Sequence, residues 1–364
     1  MNATIDIQTT SDHSYPIFFG NGAHDQFSKD LSARLPARRC FAIVDENVHT
    51  LHQELLKSLV GGSYSQVDWY VVPSGETSKS LFQLGSILDF MLESGIKRTN
   101  PVLVIGGGVT GDLGGFAAAI ALRGVPFVQL PTTLLAMVDS SVGGKTGINH
   151  HTGKNLIGAF YQPEAVYIDL QFLSTLPVRE WISGLGEVIK YAAIQRPELF
   201  KTTLGLLEQS VGPTDPRWLP VIHACVEIKA DIVHQDERET GIRSWLNFGH
   251  TFAHSMEAAS NYSGILHGEA VYLGMVAAAH LSNLLGASLD VGTLLRFNEH
   301  LKIKWPDTCR DIEKLTQLMS NDKKNTEVGQ TFVILDEWGS PRKVVVHDRA
   351  MIHQAWQMAM HDLP

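Results

Sequence analysis

The chain has 364 residues, 44% of them hydrophobic and 18% charged, a length and composition typical of two folded domains and not of a disordered chain. Its net charge of −9 disfavours nucleic acid or an anionic membrane surface as a partner, because both attract basic proteins. The three cysteines, Cys40, Cys225 and Cys309, are widely spaced and match no metal-binding pattern, so we expect buried thiols in a reducing compartment.

The N-terminal segment has no basic region followed by an apolar core, which disfavours a secretory signal and predicts a cytoplasmic protein. The most apolar later stretch, 271–287, is interrupted by His280, Ser282 and Asn283. This interruption favours a buried helix over a membrane span. We therefore expect neither a membrane role nor a nucleic-acid partner.

The first half of the chain alternates between short β-rich runs and segments of helical period. The runs are CFAIVDE, VDWYVVP, PVLVIGGG and PFVQLP, and one of the helical segments is SLFQLGSILDFMLESG. This alternation predicts a parallel sheet with crossover helices, a Rossmann-like arrangement. Ligands of such sheets bind beyond the carboxyl ends of the strands.

The second half, after about residue 171, has few strand signals. Long segments such as REWISGLGEVIKYAAI, LPVIHACVEIKADIVHQ and HGEAVYLGMVAAAHLSNLLGA indicate helices, and a hairpin-like segment, TFVILDEWGSPRKVVVHD, precedes a final helix. We predict an α/β protein with an N-terminal Rossmann-like parallel-sheet domain, residues 1–175, and a C-terminal, mostly α-helical domain, residues 176–364.

A glycine-rich turn lies between a predicted strand and a predicted helix. Gly106, Gly108 and Gly111 follow the spacing G-x-G-x-x-G. Glycines allow the backbone to approach a pyrophosphate, and the helix N-terminus offers free N–H groups, so the turn favours a dinucleotide such as NAD. A merely tight turn is the alternative.

The expected partner of the ribose is missing. A dinucleotide-binding turn is usually followed about 20 positions later by an acidic residue, and PFVQLPTTLLAMV supplies none. Asp45, at the end of a predicted strand, is the first substitute, and Glu76 and Lys79 are further candidates. A helix-start or turn role is the alternative for Asp45.

The spacing of several histidines suggests a metal site. His250 and His254 are four residues apart and therefore share a helix face, and His267 begins the next predicted helix. Catalytic zinc commonly has three protein ligands, often two histidines and a carboxylate, whereas a structural role is the alternative for such a histidine pair. The candidate carboxylates are Glu187, Glu257 and Glu269.

A set of cations lies mostly in glycine-rich or apolar surroundings, which in an acidic chain predicts a pocket for phosphate or carboxylate. Two lysines of DSSVGGKTGINHHTGKN lie in what we interpret as a glycine-rich loop wrapping a small anion. Ordinary solvated lysine is the alternative, above all for Lys323 and Lys324. The set comprises Arg123, Lys145, Lys154, Lys190, Lys229, Arg243, Lys323 and Lys324.

One long block and three shorter segments carry a resemblance to a known family. The block is GGGVTGDLGGFAAAIALRGVPFVQLPTTLLAMVDSSVGGKTGINHHTGKNLIGAFYQP, and the segments are GLGEVIKY, RSWLNFGHTFAHSME and LHGEAV. They strongly resemble 3-dehydroquinate synthase, of the sugar-phosphate cyclase superfamily, from about residue 45 to 329. Thr110, where the family has an aliphatic residue, and Ala253, where it has glycine, are mild departures.

The resemblance implies a role for individual positions. Glu187, His250 and His267 match the zinc ligands, with cobalt as an alternative ion. The NAD-contacting positions are Asp45, Glu76, Lys79, Gly107, Gly108, Asp112, Thr132, Thr133, Asp139, Ser140, Lys145, Lys154, Phe172 and Thr175. The substrate-contacting positions are Arg123, Asp139, Lys145, Asn155, Lys190, Lys229, Arg243, Asn247, His254 and one of Lys323 and Lys324. The catalytic positions are His254, Lys145, Asn247, Arg243 and Glu239, the last of which braces the pocket.

The resemblance also implies the reaction. The substrate is 3-deoxy-D-arabino-heptulosonate 7-phosphate, a phosphorylated keto acid of the shikimate pathway, and the products are 3-dehydroquinate and phosphate. The steps are transient oxidation by NAD, phosphate elimination, re-reduction, ring opening and intramolecular aldol closure. Family members of this kind are expected to be homodimers.

Three other functions compete with this one. A related cyclase would act on a sugar phosphate without the carboxylate, but Lys190, Lys229, Arg243 and Asn247 favour the keto acid. A polyol or alcohol dehydrogenase would accumulate NADH and would not need this many cations. An NAD-binding protein without turnover would neither retain nor respond to zinc or cobalt.

Overall fold

The structure is a computed structural model that describes residues 4–8, 14–320 and 329–363. It divides into two compact units. The first unit contains the described residues of Met1–Pro177 together with Gly212–Glu237, and the second contains Val178–Val211 and the described residues of Arg238–Pro364. The segment Gly212–Glu237 therefore groups with the sheet, although it lies inside the predicted helical half. The domain bounds 1–175 and 176–364 stay a prediction.

The first unit is built on a seven-stranded sheet of order β1-β2-β9-β6-β5-β3-β4. Strand β1 is antiparallel to β2, and the other pairs are parallel, so the predicted parallel sheet is confirmed. The strands of this unit are β1 Thr4–Gln8, β2 Ser14–Gly20, β3 Arg39–Asp45, β4 Gln66–Val72, β5 Val102–Gly106, β6 Phe127–Pro131, β7 Lys145–His150, β8 Gly153–Phe160 and β9 Ala165–Asp169.

The helices follow the predicted change from an alternating half to a helical half. Helices α1 to α5 and α8 belong to the first unit, and the others belong to the second. They are α1 His24–Arg34, α2 Glu46–Leu51, α3 Gln53–Gly61, α4 Leu81–Glu93, α5 Gly108–Ile120, α6 Val178–Ile194, α7 Glu198–Glu208, α8 Leu219–Gln235, α9 His250–Ala259, α10 His267–Leu284, α11 Gly292–Leu301, α12 Ile312–Ser320 and α13 Arg349–Asp362.

The core of the sheet lies in its central strands. Every residue of β5, β6 and β9 is buried, as expected for parallel strands that are covered on both faces. We did not predict β1, β2 or β9 from the sequence. A five-residue apolar run such as AVYID has no period that distinguishes a strand from part of a helix, and its pairing partners lie far away in the chain.

The segment interpreted as a glycine-rich loop is a β-hairpin, so that interpretation is wrong. Strands β7 and β8 pair antiparallel, with Gly147 opposite Gly158. A Cβ at Gly147 would lie 2.5 Å from the carbonyl oxygen of Ile157, and one at Gly158 would lie 2.1 Å from that of Thr146. The two glycines therefore permit close backbone approach between paired strands and do not shape an irregular loop.

The second unit is mostly helical, as predicted. Helix α10 is buried along most of its length, and no described helix combines the length and apolar character that a membrane span requires. The predicted hairpin is present as β10 Gln330–Leu335 and β11 Pro341–Val346, which pair antiparallel before α13. The stretch around 271–284 is thus a buried helix.

Candidate active site

The predicted cofactor residues of the first unit cluster after the carboxyl ends of parallel strands. Since these ends share one edge of the sheet, residues distant in sequence lie along the same edge. Asp45 ends β3, and short segments follow β4, β5, β6 and β9. Those segments carry Glu76 and Lys79 after β4, Gly107, Gly108 and Asp112 after β5, Thr132 and Thr133 after β6, and Phe172 and Thr175 after β9.

The glycine-rich turn connects β5 to α5 as predicted. Gly107 is the residue before the helix, and Gly108 is its first residue. A Cβ at Gly107 would lie 3.0 Å from Cγ2 of Thr133, and a Cβ at Gly108 would lie 3.2 Å from Oγ of Ser140. The glycines therefore let the segment after β6 approach the N-terminus of α5, whose free N–H groups suit an anion.

Lys79 and Asp112, both predicted NAD positions, form an ion pair with Nζ 2.5 Å from Oδ2. The Lys79 side chain is only 6% exposed. Burial raises the pKa of the Asp112 carboxyl above its ordinary value, and the charge of Lys79 opposes this effect. The pair thus joins the segment after β4 to helix α5.

Asp45 caps helix α2. Its Oδ1 accepts hydrogen bonds from the backbone N–H groups of Asn47, at 2.9 Å, and Val48, at 3.3 Å, and from the Ser74 hydroxyl at 3.0 Å. The helix-start alternative is therefore present in the structure. A contact of Asp45 with the ribose stays a prediction.

His52 is a residue of this edge that the sequence analysis missed. Its Nε2 lies 2.6 Å from Oγ1 of Thr175, and its ring packs edge-on against Phe172 with centroids 5.2 Å apart. Burial lowers the pKa of His52, which favours the neutral ring at neutral pH. No local motif marks His52, because its partners lie more than a hundred residues later in the chain.

Lys229 reaches Asp139 across the first unit. Its Nζ lies 2.9 Å from Oδ1 of Asp139 and 2.5 Å from the backbone oxygen of the same residue. Asp139 and Ser140 lie in a π-helical turn, Ala136–Ser140, a geometry frequent at functional sites. The structure thus brings together two residues that the resemblance assigns to the substrate.

Other predicted residues of the first unit are more dispersed. Arg123 is exposed and lies beyond the C-terminal end of α5, about 18 Å along the helix axis from the glycine-rich turn. Lys145 begins β7, and Lys154 and Asn155 lie near the start of β8. The substrate roles of Arg123, Lys145 and Asn155 and the NAD roles of Lys145 and Lys154 stay predictions. Lys323 and Lys324 lie outside the described residues.

Three residues of the second unit meet as a candidate metal site. Glu187 lies on α6, while His250 and His267 are the first residues of α9 and α10. One potential ligand atom from each lies within 4.8 Å of the other two. Oε1 of Glu187 is 3.6 Å from Nε2 of His250 and 3.4 Å from Nε2 of His267.

These distances fit a divalent ion. Two ligands of a tetrahedral zinc, each about 2.1 Å from the metal, are about 3.4 Å apart. The set of one carboxylate and two imidazoles leaves a fourth position for water or substrate. Of the three carboxylates considered from the sequence, Glu187 faces both Nε2 atoms. Glu269 instead pairs with Arg179 at 2.7 Å.

The Nδ1 atoms of His250 and His267 also have polar partners. Nδ1 of His267 lies 3.4 Å from Oε1 of Glu257, and Nδ1 of His250 lies 3.2 Å from the backbone oxygen of Phe248. Such contacts favour a proton on Nδ1 and direct the Nε2 lone pair toward a metal. Glu257 therefore orients the ring of His267, a candidate ligand, without facing the site itself.

The two histidines differ in their electrostatics. Burial, followed by the charge of Lys190, lowers the pKa of His250 well below its usual range. Burial also lowers the pKa of His267, but the charges of Glu257 and Glu187 outweigh it and raise the pKa to about 10. The negative potential that holds a proton on His267 also favours a cation bound to the same group.

Glycines adjacent to the candidate ligands allow their helices to touch. A Cβ at Gly186 would lie 2.1 Å from the carbonyl oxygen of Gly268, and one at Gly268 would lie 1.7 Å from that of Ser183. Helices α6 and α10 therefore meet backbone to backbone beside Glu187 and His267. This role was not predicted from the sequence, although GLGEV and HGEAV both place a glycine directly beside a candidate ligand.

Of the predicted cations and polar residues of the second unit, Lys190 and His254 contact this cluster. Lys190, 1% exposed, forms an ion pair with Oε2 of Glu187. The ring of His254 packs edge-on against His250 with centroids 5.7 Å apart. Nδ2 of Asn247 donates to Oε1 of Glu239 at 2.8 Å. Arg243, also 1% exposed, lies in the 3₁₀ turn Ile242–Asn247.

Comparison with known proteins identifies the family. The N-terminal 3-dehydroquinate synthase family model matches residues 69–183, and the C-terminal model matches residues 184–325. A 3-dehydroquinate synthase from Neisseria meningitidis serogroup C is 40% identical over 356 residues, 97% of this chain and 99% of the relative. The chain belongs to the 3-dehydroquinate synthase family. It is an enzyme of that type, which serves the shikimate pathway.

Solved structures of related cyclases share the fold. A 2-epi-5-epi-valiolone synthase from Streptomyces hygroscopicus, with NAD+ and Zn2+ bound, has a TM-score of 0.84 and 26% identity over 96% of this chain and 97% of that chain. A 2-deoxy-scyllo-inosose synthase complexed with carbaglucose-6-phosphate, NAD+ and Co2+ has a TM-score of 0.86 over 98% and 99%. At 24% identity, the second likeness supports the fold alone.

Proposed function

We propose that the enzyme converts 3-deoxy-D-arabino-heptulosonate 7-phosphate into 3-dehydroquinate and inorganic phosphate. NAD would be regenerated in each turnover, and Glu187, His250 and His267 would hold a divalent ion. The observation that carries the proposal is the convergence of these three side chains in a chain of the 3-dehydroquinate synthase family. NAD and zinc bound to the related valiolone synthase support the choice of cofactor and metal.

The two cofactors supply chemistry that no side chain provides. When bound, the metal ion would lower the pKa of a substrate hydroxyl, and NAD would accept and later return a hydride, so that no net oxidation results. The residues after β3 to β6 and β9 would hold NAD in the first unit. Glu187, His250 and His267 would hold the metal in the second unit.

The cations would bind the two negative groups of the substrate. Lys190 and Arg243 are almost completely buried in the second unit, where a positive charge attracts an anion more strongly than it does in water. Lys229 and Lys145, which belong to the first unit, are further candidates for contacts with these groups. A substrate with both a carboxylate and a phosphate makes use of this set, whereas a neutral sugar phosphate leaves part of it without a partner.

Proton transfer and orientation would fall to residues near the metal ligands. His254, packed against His250, would relay protons, and Asn247 would position the carbonyl group of the reacting sugar. Glu239 accepts a hydrogen bond from Asn247 and thereby fixes its orientation. The phosphate of the substrate can itself accept the proton that leaves during elimination, so we assign no side chain as the general base of that step.

Phosphate release tests the proposal. The purified enzyme would be incubated with the seven-carbon keto acid phosphate, with and without NAD and with and without a chelator. We expect phosphate release that needs only a trace of NAD, stops with the chelator and leaves no accumulated NADH. Exclusive turnover of a sugar phosphate lacking the carboxylate, or NADH in amounts equal to product, would overturn the proposal. A homodimer in the cytoplasm is part of the same proposal, and gel filtration tests the dimer.

A further inference from the structure

We propose that Asn149 is a positioning residue that links the NAD-binding segment after β4 to the substrate-binding start of β8. The inference rests on the proposed function, because Glu76 and Lys79 are assigned there to NAD and Asn155 to the substrate. Asn149 itself is assigned no role by the resemblance. It lies on β7 between the two segments in the chain.

Asn149 makes three hydrogen bonds that connect these segments. Its Nδ2 donates to Oε1 of Glu76 at 2.7 Å, and its backbone N–H donates to the carbonyl oxygen of Lys79 at 2.8 Å. Its Oδ1 accepts from the backbone N–H of Asn155 at 3.0 Å. Asn149 therefore binds the Glu76 side chain and the Lys79 backbone on one side and the Asn155 backbone on the other.

The pairing of β7 and β8 explains why Asn149 is available for these contacts. The register is regular up to Ile148, which pairs with Ile157, and then shifts, so that His150 pairs with Gly153. Asn149 lies at this irregularity. Bulges of this kind redirect a side chain and are frequent beside active sites. The irregularity turns the polar groups of Asn149 toward the segment that contains Glu76 and Lys79.

The chemistry of the contacts selects an amide. Glu76 offers only acceptors when ionised, and the backbone N–H of Asn155 offers only a donor. A carboxamide satisfies both at once. An aspartate would keep the acceptor for Asn155 but would place a second negative charge against Glu76, and an alanine would leave both groups without this partner.

The contact with Asn155 also supports a left-handed backbone conformation. Asn155 has a φ of 53°, in the left-handed region that asparagine adopts more readily than other non-glycine residues. The hydrogen bond from its N–H to Asn149 stabilises this conformation. The Asn155 side chain, assigned to the substrate, therefore depends on Asn149 for its direction.

Variants at Asn149 separate its effect on NAD binding from its effect on substrate binding. In Asn149→Ala, we expect the Kd for NAD and the KM for the keto acid phosphate each to rise about tenfold. The reason is that Glu76 and the backbone N–H of Asn155 each lose a hydrogen bond. In Asn149→Asp, the KM should rise much less than the Kd for NAD, because the acceptor for Asn155 is retained. Titration calorimetry with the metal-loaded protein measures the Kd, and phosphate release at saturating NAD measures the KM.

A double-mutant cycle tests whether Asn149 acts through Glu76. Glu76→Ala, Asn149→Ala and the double variant are compared for NAD affinity. We expect Asn149→Ala to change the Kd by less than about twofold when Glu76 is already absent, since the partner it orients is gone. Additive effects of the two substitutions on the Kd for NAD would overturn the claim that Asn149 acts on NAD binding through Glu76.

Asn298→Ala is the matched control. The amide of Asn298 also bridges backbone groups, since Nδ2 donates to the carbonyl oxygen of Ile303 and Oδ1 accepts from its N–H. This control should lower the Tm without changing the Kd for NAD. If Asn149→Ala does not fold, Asn149→Asp tests the proposal, because its Kd for NAD should rise more than its KM for the keto acid phosphate. Wild-type phosphate release with unchanged Kd and KM in the Asn149 variants would overturn this inference alone, whereas no phosphate release by the wild type would overturn the proposed function.

Discussion

Oε1 of Glu257 lies 3.4 Å from Nδ1 of His267, the ring nitrogen on the side opposite the one that faces Glu187. Glu257 is 3% exposed, so this carboxylate is held beside the imidazole away from water. A carboxylate behind a metal-binding histidine fixes the ring orientation and increases its basicity. The relationship predicts that Glu257 affects metal affinity from behind the candidate ligand His267.

Glu257→Gln should therefore weaken zinc binding by about 10- to 100-fold while the protein stays folded. The amide keeps the shape of the side chain but removes the negative charge behind His267. Competition with a chelator of known affinity measures the effect. Glu299→Gln, an exposed position on α11, serves as the control and should leave the affinity unchanged. Equal affinities in the wild type and Glu257→Gln would refute a supporting role for Glu257.

Loss of a metal ligand should have a larger effect. His267→Ala should lower zinc affinity by about a hundredfold or more and abolish phosphate release, because one of three ligands is gone. Glu187→Gln should do the same, and its amide oxygen can still accept a hydrogen bond from the buried Lys190. Both variants should remain folded by circular dichroism. Retained zinc and activity in both variants would remove the metal assignment.

Gly268→Ala should disturb the metal site through packing alone. The added Cβ would lie 1.7 Å from the carbonyl oxygen of Ser183, so α6 and α10 must separate. We expect a loss of roughly 1–3 kcal/mol in the free energy of unfolding together with weaker zinc binding. Gly205→Ala on α7 is the matched control, since its Cβ meets nothing within 4 Å. That change should stabilise the helix by roughly 0.5–1 kcal/mol. Urea unfolding measures both values, and a neutral Gly268→Ala would contradict the close helix contact.

Lys79→Met should make the stability of the protein more dependent on pH. Burial already raises the pKa of Asp112 above its ordinary value of 3.8, and Lys79 opposes this effect. Without Lys79, the pKa should rise further, so the folded state would hold a proton that the unfolded state releases. Stability should then fall as the pH rises from the ordinary value through the raised pKa.

Urea unfolding of the wild type and Lys79→Met over a series of pH values measures this effect. The deficit of the variant should be smallest at acid pH, where Asp112 is protonated, and should grow toward neutral pH. Adding Asp112→Asn to Lys79→Met should remove the extra pH dependence. A constant deficit at every pH would show that Asp112 is not the titrating group.

The sequence alone determined the elements whose pattern is local. The period-2 and apolar runs predicted β3 to β6, the 3.6-residue period predicted α4, α6, α8 and α10, and the glycine spacing predicted the turn from β5 to α5. The four-residue spacing of His250 and His254 correctly indicated a shared helix. Each of these features depends on neighbours within one or two turns of the chain, so the residues carry the information themselves.

Tertiary structure decided which of these residues meet. Spacing alone suggested His250 and His254 together and left Glu187, Glu257 and Glu269 as equivalent candidates, and only the family resemblance pointed to Glu187, His250 and His267. Helix packing brings these three residues together and puts Glu257 behind His267. The β7–β8 hairpin and the contacts of His52 were likewise invisible in the sequence. The partners of His52 lie more than 100 residues away, and no local period records such a contact. The β7–β8 hairpin is local in the chain, but its glycine-rich strands lack the alternation that predicts a strand.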